Sequence, residues 1–146
     1  MRKGHDGMSN LLYHYVVPGD DFTRAGEASG SVKRVLKKLG ISPEVIRKVS
    51  ISLYEAEINQ VIHAGGGEID VEIAPDHIAI VLRDSGPGIP DVEKAMEAGY
   101  STADERVRNL GFGAGMGLPN MKKHADSLSI QSTVGVGTQL RMTIKI

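Results

Sequence analysis

The 146-residue chain carries 17 lysines and arginines against 18 aspartates and glutamates, a net charge of -1, and it contains no cysteine. The near-zero charge gives no long-range field that would recruit nucleic acid or an anionic membrane. The lack of cysteine excludes disulfides and thiolate metal sites. No apolar run reaches the roughly 20 residues of a membrane span, and the N-terminus lacks a signal-peptide pattern. We therefore expect a cytoplasmic protein with no nucleic-acid or membrane partner.

The chain begins with a predicted tail, a strand and a helix. Residues 1–10 are polar and predict a disordered tail. The apolar and aromatic stretch 11–17 predicts a strand. Apolar residues at helical spacing within 32–39 predict the first helix, with Asp20 or Asp21 as its N-cap.

The second helix is marked at both ends. Ser42 is a typical N-cap and Pro43 suits the first helical position, while glycines 65–67 supply the stop. After these glycines, apolar residues recur at every second position and no longer at helical spacing, which predicts a β-hairpin. The remaining predicted elements are hairpin strands over 68–74 and 77–83, a short helix over 90–98, a helix over 118–125, and a closing hairpin over 128–133 and 139–146.

This order of elements predicts the fold class. Strands that alternate with helical segments in this way favour an α+β fold, a two-layer sandwich. We expect a mixed, mostly antiparallel sheet covered by helices on one face. A single domain over residues 11–146 accounts for the whole pattern.

The second helix carries a candidate catalytic pair. Glu55 and Asn59 are four residues apart, so they project from one face of the helix, and His63 extends the row by one turn. An amide oxygen can hold hydrated Mg²⁺ while a carboxylate accepts a proton from an attacking hydroxyl. The alternative for this row is a solvated polar stripe. His63 is better explained as a supporting or surface residue than as a catalytic one.

A second candidate site follows the strand over 77–83. The carboxylate of Asp84 could accept a hydrogen bond from an exocyclic amine such as that of adenine. Gly86 and Gly88 would let the main chain pass close to a flat ring. An ordinary turn at the end of a strand is the alternative.

Glycines are dense between residues 111 and 117, just before a predicted helix. Successive backbone N–H groups at a helix N-terminus favour phosphate, so this segment predicts a lid that ends in an anion site. The Walker and dinucleotide fingerprints do not fit it. A surface loop is the alternative. Gly135 and Gly137 predict a hairpin turn, from which the Thr138 hydroxyl could reach Asp84 or a bound base.

Taken in chain order, these segments resemble the four sequence boxes of the GHKL ATPase superfamily. The resemblance covers residues 49–146, roughly the last two thirds of the chain, and its ordered combination is more specific than any one segment. The matched positions are Glu55 and Asn59 in the N box, Asp84, Gly86 and Gly88 in the first glycine box, Gly113, Gly115 and Gly117 in the second, and Gly135, Gly137 and Thr138 in the third.

The resemblance implies a Bergerat fold that binds ATP and Mg²⁺ between helices and sheet, under a mobile lid. It implies that Glu55 is the catalytic base and Asn59 the Mg²⁺ ligand. Arg106 and Arg108 would lie in the lid, where one could reach the γ-phosphate, although solvated side chains are the simpler interpretation. The implied nucleotide contacts are Asn59, Asp84, Gly86, Gly88, Gly113, Ala114, Gly115, Met116, Gly117, Leu118 and Thr138.

Within the superfamily the chain is most similar to small bacterial anti-sigma-factor serine/threonine kinases, on residues 54–63, 99–102 and 117–122. This similarity implies phosphorylation of a STAS-domain antagonist, with a sigma factor as a further partner, and it leaves a homodimer open. The alternatives are an ATP-binding switch without catalysis and the catalytic domain of a sensor histidine kinase. For the latter, neither His5 nor His14 is a convincing phosphoacceptor.

Overall fold

The computed structural model describes residues 10–19, 23–92, 96 and 117–146. The predicted helix over 90–98 and most of the predicted lid lie outside these residues, as does the tail up to residue 9. The described elements are β1 (Leu11–Pro18), α1 (Glu27–Lys38), α2 (Pro43–His63), β2 (Gly66–Ile73), β3 (His77–Asp84), α3 (Gly117–His124), β4 (Ser127–Thr133) and β5 (Gly137–Lys145).

The five strands form one open sheet in the order β1-β2-β3-β5-β4. All four pairings are antiparallel, so the described sheet lacks the parallel pair that a mixed sheet would contain. The α+β class is as predicted. The register places Asp84 at the end of β3 directly opposite Thr138 on β5.

The helices cover one face of the sheet and form the core with it. Alternate residues of β2 and β3 are buried, as expected when one face of a sheet is covered and the other is open. Within the described residues, no helix is both long and apolar enough to cross a membrane. The largest fully buried side chains are Leu36, Leu53, Ile69, Ile78, Ile80, Met121, Met142 and Ile144.

Helix α1 begins later than predicted. Its N-cap is Gly26, which has φ 97°, and not Asp20 or Asp21. The cap is supplied by Glu57 of α2, a carboxylate that is only 2% exposed. It accepts hydrogen bonds from the backbone N–H groups of Gly26, Ala28 and Ser29 at 3.0, 3.1 and 3.0 Å.

Helix α2 begins as its sequence indicates. Ser42 is the N-cap and its hydroxyl accepts from the N–H of Val45 at 3.4 Å, with Pro43 in the first turn. The helix ends at His63, one turn beyond Asn59 and close to the predicted glycine stop. The two predicted hairpins are also present, as β2–β3 and β4–β5.

Candidate functional site

Glu55 lies in the second half of α2, partly buried where α3 packs against it. The side-chain amide of Asn120, in α3, donates a hydrogen bond to Oε2 of Glu55 over 3.0 Å. The carboxylate is therefore held from one side by the helix that follows the predicted lid. Its second oxygen, Oε1, accepts no hydrogen bond from any residue that the structure describes.

Asn59 and His63 continue the row that begins at Glu55. All three side chains are partly buried, in contrast to the fully buried residues on the opposite side of α2. Burial lowers the pKa of His63 below its usual value, which favours the neutral imidazole. These three side chains therefore lie at the edge of the core and are only partly exposed to solvent, whereas a solvated polar stripe would be exposed.

The side chains of this row could hold a magnesium ion that takes most of its ligands from water and phosphate. Over the described ranges, no three His, Cys, Asp or Glu side chains gather as a metal-binding group. The amide oxygen of Asn59 suits a Mg²⁺ ion that keeps water and takes its other ligands from phosphate.

Asp84 is oriented by backbone amides. Its Oδ1 accepts from the N–H of Gly86 at 2.9 Å and from the N–H of Thr138 at 3.2 Å. Both bonds use the same oxygen, and no described residue donates to Oδ2. This arrangement leaves Oδ2 as the acceptor available for a ligand.

The sequence suggested that the Thr138 hydroxyl could reach Asp84 or a bound base, and the structure gives it a different protein partner. It forms a 2.7 Å hydrogen bond with the hydroxyl of Ser132 on β4, and Thr138 reaches Asp84 through its backbone N–H instead. Ser132 also accepts from the N–H of Ile89 at 2.7 Å. The hydroxyl pair thereby fastens the loop after Asp84 to the β4–β5 hairpin.

The glycines of that loop are required by protein packing. A Cβ on Gly86 would lie 2.7 Å from the Cα of Ala64, at the end of α2. Gly88 has φ +81°, a conformation that favours glycine, and a Cβ there would lie 2.5 Å from the carbonyl oxygen of Thr133. Close packing against neighbouring backbone therefore requires glycine at both positions, whether or not a flat ring also passes beside them.

The end of α2 is joined to the end of β3 by Gln60. Its side-chain amide donates to the carbonyl oxygens of Glu68 and Arg83, at 3.3 and 3.2 Å. Since Arg83 precedes Asp84 and Gln60 follows Asn59, these bonds hold the two candidate residues at the same end of the sheet.

The predicted phosphate site lies only partly within the described residues. Gly113, Ala114, Gly115 and Met116 are outside them, as are Arg106 and Arg108. Helix α3 begins at Gly117, so its first backbone N–H groups have no partner within the helix. The Leu118 side chain is 8% exposed and belongs to the core, which leaves its backbone for contact with an anion.

Four supporting residues were not identified from the sequence. They are Glu57, Gln60, Asn120 and Ser132, and each acts on a residue distant in the chain. The separation between Asn120 and Glu55, for example, is 65 residues. Only Glu57 had a local signal, an acidic residue at a helical position that faces away from the Glu55 row.

Comparison with known proteins identifies the family of the chain. The family model of the histidine kinase-like ATPase domain matches residues 20–144, which is most of the chain. The matched segment includes the Glu55 row, the Asp84 loop and the β4–β5 hairpin.

Two relatives are bacterial proteins. The serine/threonine-protein kinase RsbT of Bacillus subtilis is 34% identical over 113 residues, covering 75% of this chain and 79% of the relative. The anti-sigma F factor of Caldanaerobacter subterraneus is 38% identical over 105 residues, covering 68% and 70%.

A solved structure shares the fold. The mycobacterial sensor histidine kinase MprB aligns with a TM-score of 0.53 over 92% of this chain and 97% of that one, at 19% identity. At this identity the similarity concerns the fold alone.

Proposed function

Because the chain belongs to the histidine kinase-like ATPase domain family, we propose that it is an ATP-dependent serine/threonine protein kinase of the anti-sigma-factor type. The observation that carries the proposal is the Glu55 carboxylate, which is partly buried, oriented by Asn120 and one turn from Asn59. A simple ATP-binding module would need Asn59 and Asp84 but no oriented carboxylate beside them.

Asp84 would select the base. With Oδ1 occupied by two backbone N–H groups, Oδ2 can accept from the exocyclic amine of adenine. The same position in guanine carries a carbonyl oxygen, which would face the carboxylate as a second acceptor. ATP is therefore preferred over GTP.

The other end of the nucleotide would lie between Asn59 and the start of α3. The first backbone N–H groups of α3, which have no partner within the helix, can donate to phosphate oxygens, together with the amides of residues 113–116. Asn59 would hold Mg²⁺ through its amide oxygen. When bound, Mg²⁺ neutralises phosphate charge during transfer.

Glu55 would act as the base in the transfer step. The serine oxygen of the substrate forms a bond to the γ-phosphorus while the bond from that phosphorus to the bridging oxygen breaks and ADP leaves. The serine proton passes to the Glu55 carboxylate. The hydrogen bond from Asn120 occupies Oε2, so Oε1 is the oxygen that faces the incoming hydroxyl.

The protein substrate we propose is a STAS-domain antagonist, and a sigma factor is the regulated partner. The proposal is supported by relatives named as a serine/threonine kinase and as anti-sigma F factors. Such a regulator would act in the cytoplasm as a monomer or homodimer, and would bind or release its partner according to the nucleotide that it holds.

The test is phosphate transfer from labelled Mg-ATP to a purified STAS-domain partner. We expect the wild type to phosphorylate serine and Glu55→Ala to lose transfer while it still binds ATP. Glu44→Ala is the matched control, because Glu44 lies on the same helix with its side chain 72% exposed. ATP binding without transfer by the wild type would instead identify a nucleotide-dependent switch and overturn the kinase proposal.

A further inference from the structure

The helical layer carries a groove that the proposed transfer reaction does not use. It lies between α1 and the first half of α2 and has a volume of about 530 Å³. That volume is enough for several side chains of a bound segment. Its lining residues are Lys33, Lys37, Ile41, Pro43, Ile46, Arg47, Ser50 and Ile51.

The groove is positively charged. Lys33, Lys37 and Arg47 are exposed, and the lining contains no acidic residue. No carboxylate among the described residues forms an ion pair with any of the three, although nearby Lys48 pairs with Glu44 at 3.6 Å. A protein of net charge -1 thus gathers three cations in one groove, without an ion-pair partner in the part of the chain that the structure describes.

The positive charge continues onto α3. Its last turn carries Lys122, Lys123 and His124, with no acidic residue in the first turn. The pKa of His124 is lowered, first by burial and then by the positive charges of Lys123, Arg47 and Lys48. The lysines at the end of α3 therefore lie near Arg47 and Lys48 of α2, the helix against which α3 packs.

The walls of the groove are aliphatic. Ile41 and Ile51 are partly buried and Ile46 is 7% exposed, while no aromatic side chain lines the groove. The hydroxyl of Ser50 is buried without a hydrogen-bond partner among the described residues. Rotation of this hydroxyl toward a bound segment would break no hydrogen bond.

The groove also leads toward the active site. Arg47, Ile51, Glu55 and Asn59 follow one another at intervals of four, so they form one row along α2. The groove ends at Ile51, one helical turn before Glu55. A segment bound there would place the rest of its protein close to the proposed catalytic carboxylate.

We propose that this groove docks an acidic, amphipathic segment of the protein substrate. Carboxylates of the segment would face the three cations and its aliphatic side chains would pack on the isoleucines. Single-stranded nucleic acid fits less well, because it binds through aromatic stacking platforms as well as cations. The catalytic meaning of the docking rests on the proposed function, whereas the docking itself does not.

The test is fluorescence anisotropy with a labelled peptide of about 14 residues, roughly four helical turns, that repeats glutamate and leucine at helical spacing. We expect saturable binding by the wild type, weakened at least about 10-fold by the double variant Lys37→Glu, Arg47→Glu. Lys38→Glu is the matched control, since Lys38 lies exposed on α1 outside the groove. It should change affinity less than about 2-fold.

Two further probes make the result decisive. A peptide with glutamine in place of leucine should bind at least about 10-fold more weakly if the aliphatic side chains of the groove contribute. Equal binding of the two peptides would show that the groove attracts negative charge nonspecifically, and would overturn the proposal. Absence of peptide binding, an equal loss with Lys38→Glu, or tighter binding of a single-stranded oligonucleotide would each overturn the proposal. Arg47→Gln repeats the test if the double variant is unstable. Peptide binding without phosphate transfer would leave the docking site standing and refute only the kinase.

Discussion

At the scale of single residues, Asp84 offers a test of base selection that leaves the fold intact. In Asp84→Asn the retained Oδ1 can still accept from Gly86 and Thr138, which places the new NH₂ group where Oδ2 was. A donor would then meet the adenine amine. We expect ATP affinity to fall about 10- to 100-fold, the equivalent of about 1.4 to 3 kcal/mol.

Isothermal titration with ATP and with GTP measures this effect. Affinity for GTP should fall less than affinity for ATP, because only the adenine amine loses its acceptor. The thermal midpoint of the variant should match the wild type. An unchanged ratio of ATP to GTP affinity would show that Asp84 does not contact the base.

Asn120 provides a second test, on the orientation of Glu55. Asn120→Ala removes the hydrogen bond to Oε2 and frees the carboxylate to rotate. We expect about a 10-fold loss in transfer rate, since a hydrogen bond to a charged group is worth about 1.5 to 3 kcal/mol. ATP affinity should stay within about 2-fold in the same titration. Lys123→Ala, an exposed position on the same helix, should leave the rate unchanged, and an equal fall in both variants would argue against orientation of Glu55 by Asn120.

At the scale of elements, the helical layer depends on Glu57. One buried carboxylate accepts three N–H groups at the start of α1, where a helix has unpaired donors and a positive dipole end. In Glu57→Gln one acceptor oxygen is replaced by a donor. We expect the free energy of unfolding to fall by about 2 kcal/mol, within the range for a buried donor left unpaired.

Denaturant unfolding monitored by circular dichroism would measure this change. The control is Glu44→Gln, which alters an exposed acid on the same helix and should shift the free energy by less than about 0.5 kcal/mol. If both variants unfold at the same denaturant concentration, the carboxylate does not stabilise the start of α1.

The same element explains where prediction from sequence fails. The start of α2 was predictable because Ser42 and Pro43 act within one turn. The start of α1 was not, because its cap comes from Glu57, 31 residues from Gly26. Local signals at Asp20 and Asp21 suggested an earlier start, and the long-range hydrogen bonds of Glu57 placed it at Glu27.

At the scale of the whole molecule, the sequence predicts the architecture better than the contacts within the site. Alternation of apolar residues predicted the two hairpins, and the spacing of Glu55 and Asn59 placed them on one face of α2. The hydrogen bond between Asn120 and Glu55 and the hydroxyl pair of Ser132 and Thr138 depend on how elements pack. The spacing of apolar residues along the chain does not predict contacts of this kind.

The distribution of charge is also a property of the folded molecule. The composition gave a net charge of -1 and no expectation of a charged surface. The fold gathers Lys33, Lys37 and Arg47 into one groove on the helical layer. The open face of the sheet carries the acidic side chains of Glu68 and Asp70, where His14 and Arg83 bind Asp70 and lower its pKa. The helical layer is therefore the face that we expect to attract an acidic partner.

The central claim is that α2, the end of β3 and the start of α3 together bind Mg-ATP, with Asn59 as the protein ligand of the Mg²⁺ ion. The most direct measurement is isothermal titration of the wild type and of Asn59→Ala with ATP, each with Mg²⁺ and with a chelator. We expect wild-type affinity to depend strongly on Mg²⁺, and Asn59→Ala to lose that dependence while it unfolds at the same temperature. No ATP binding by the wild type, or the same dependence on Mg²⁺ in both proteins, would contradict the claim.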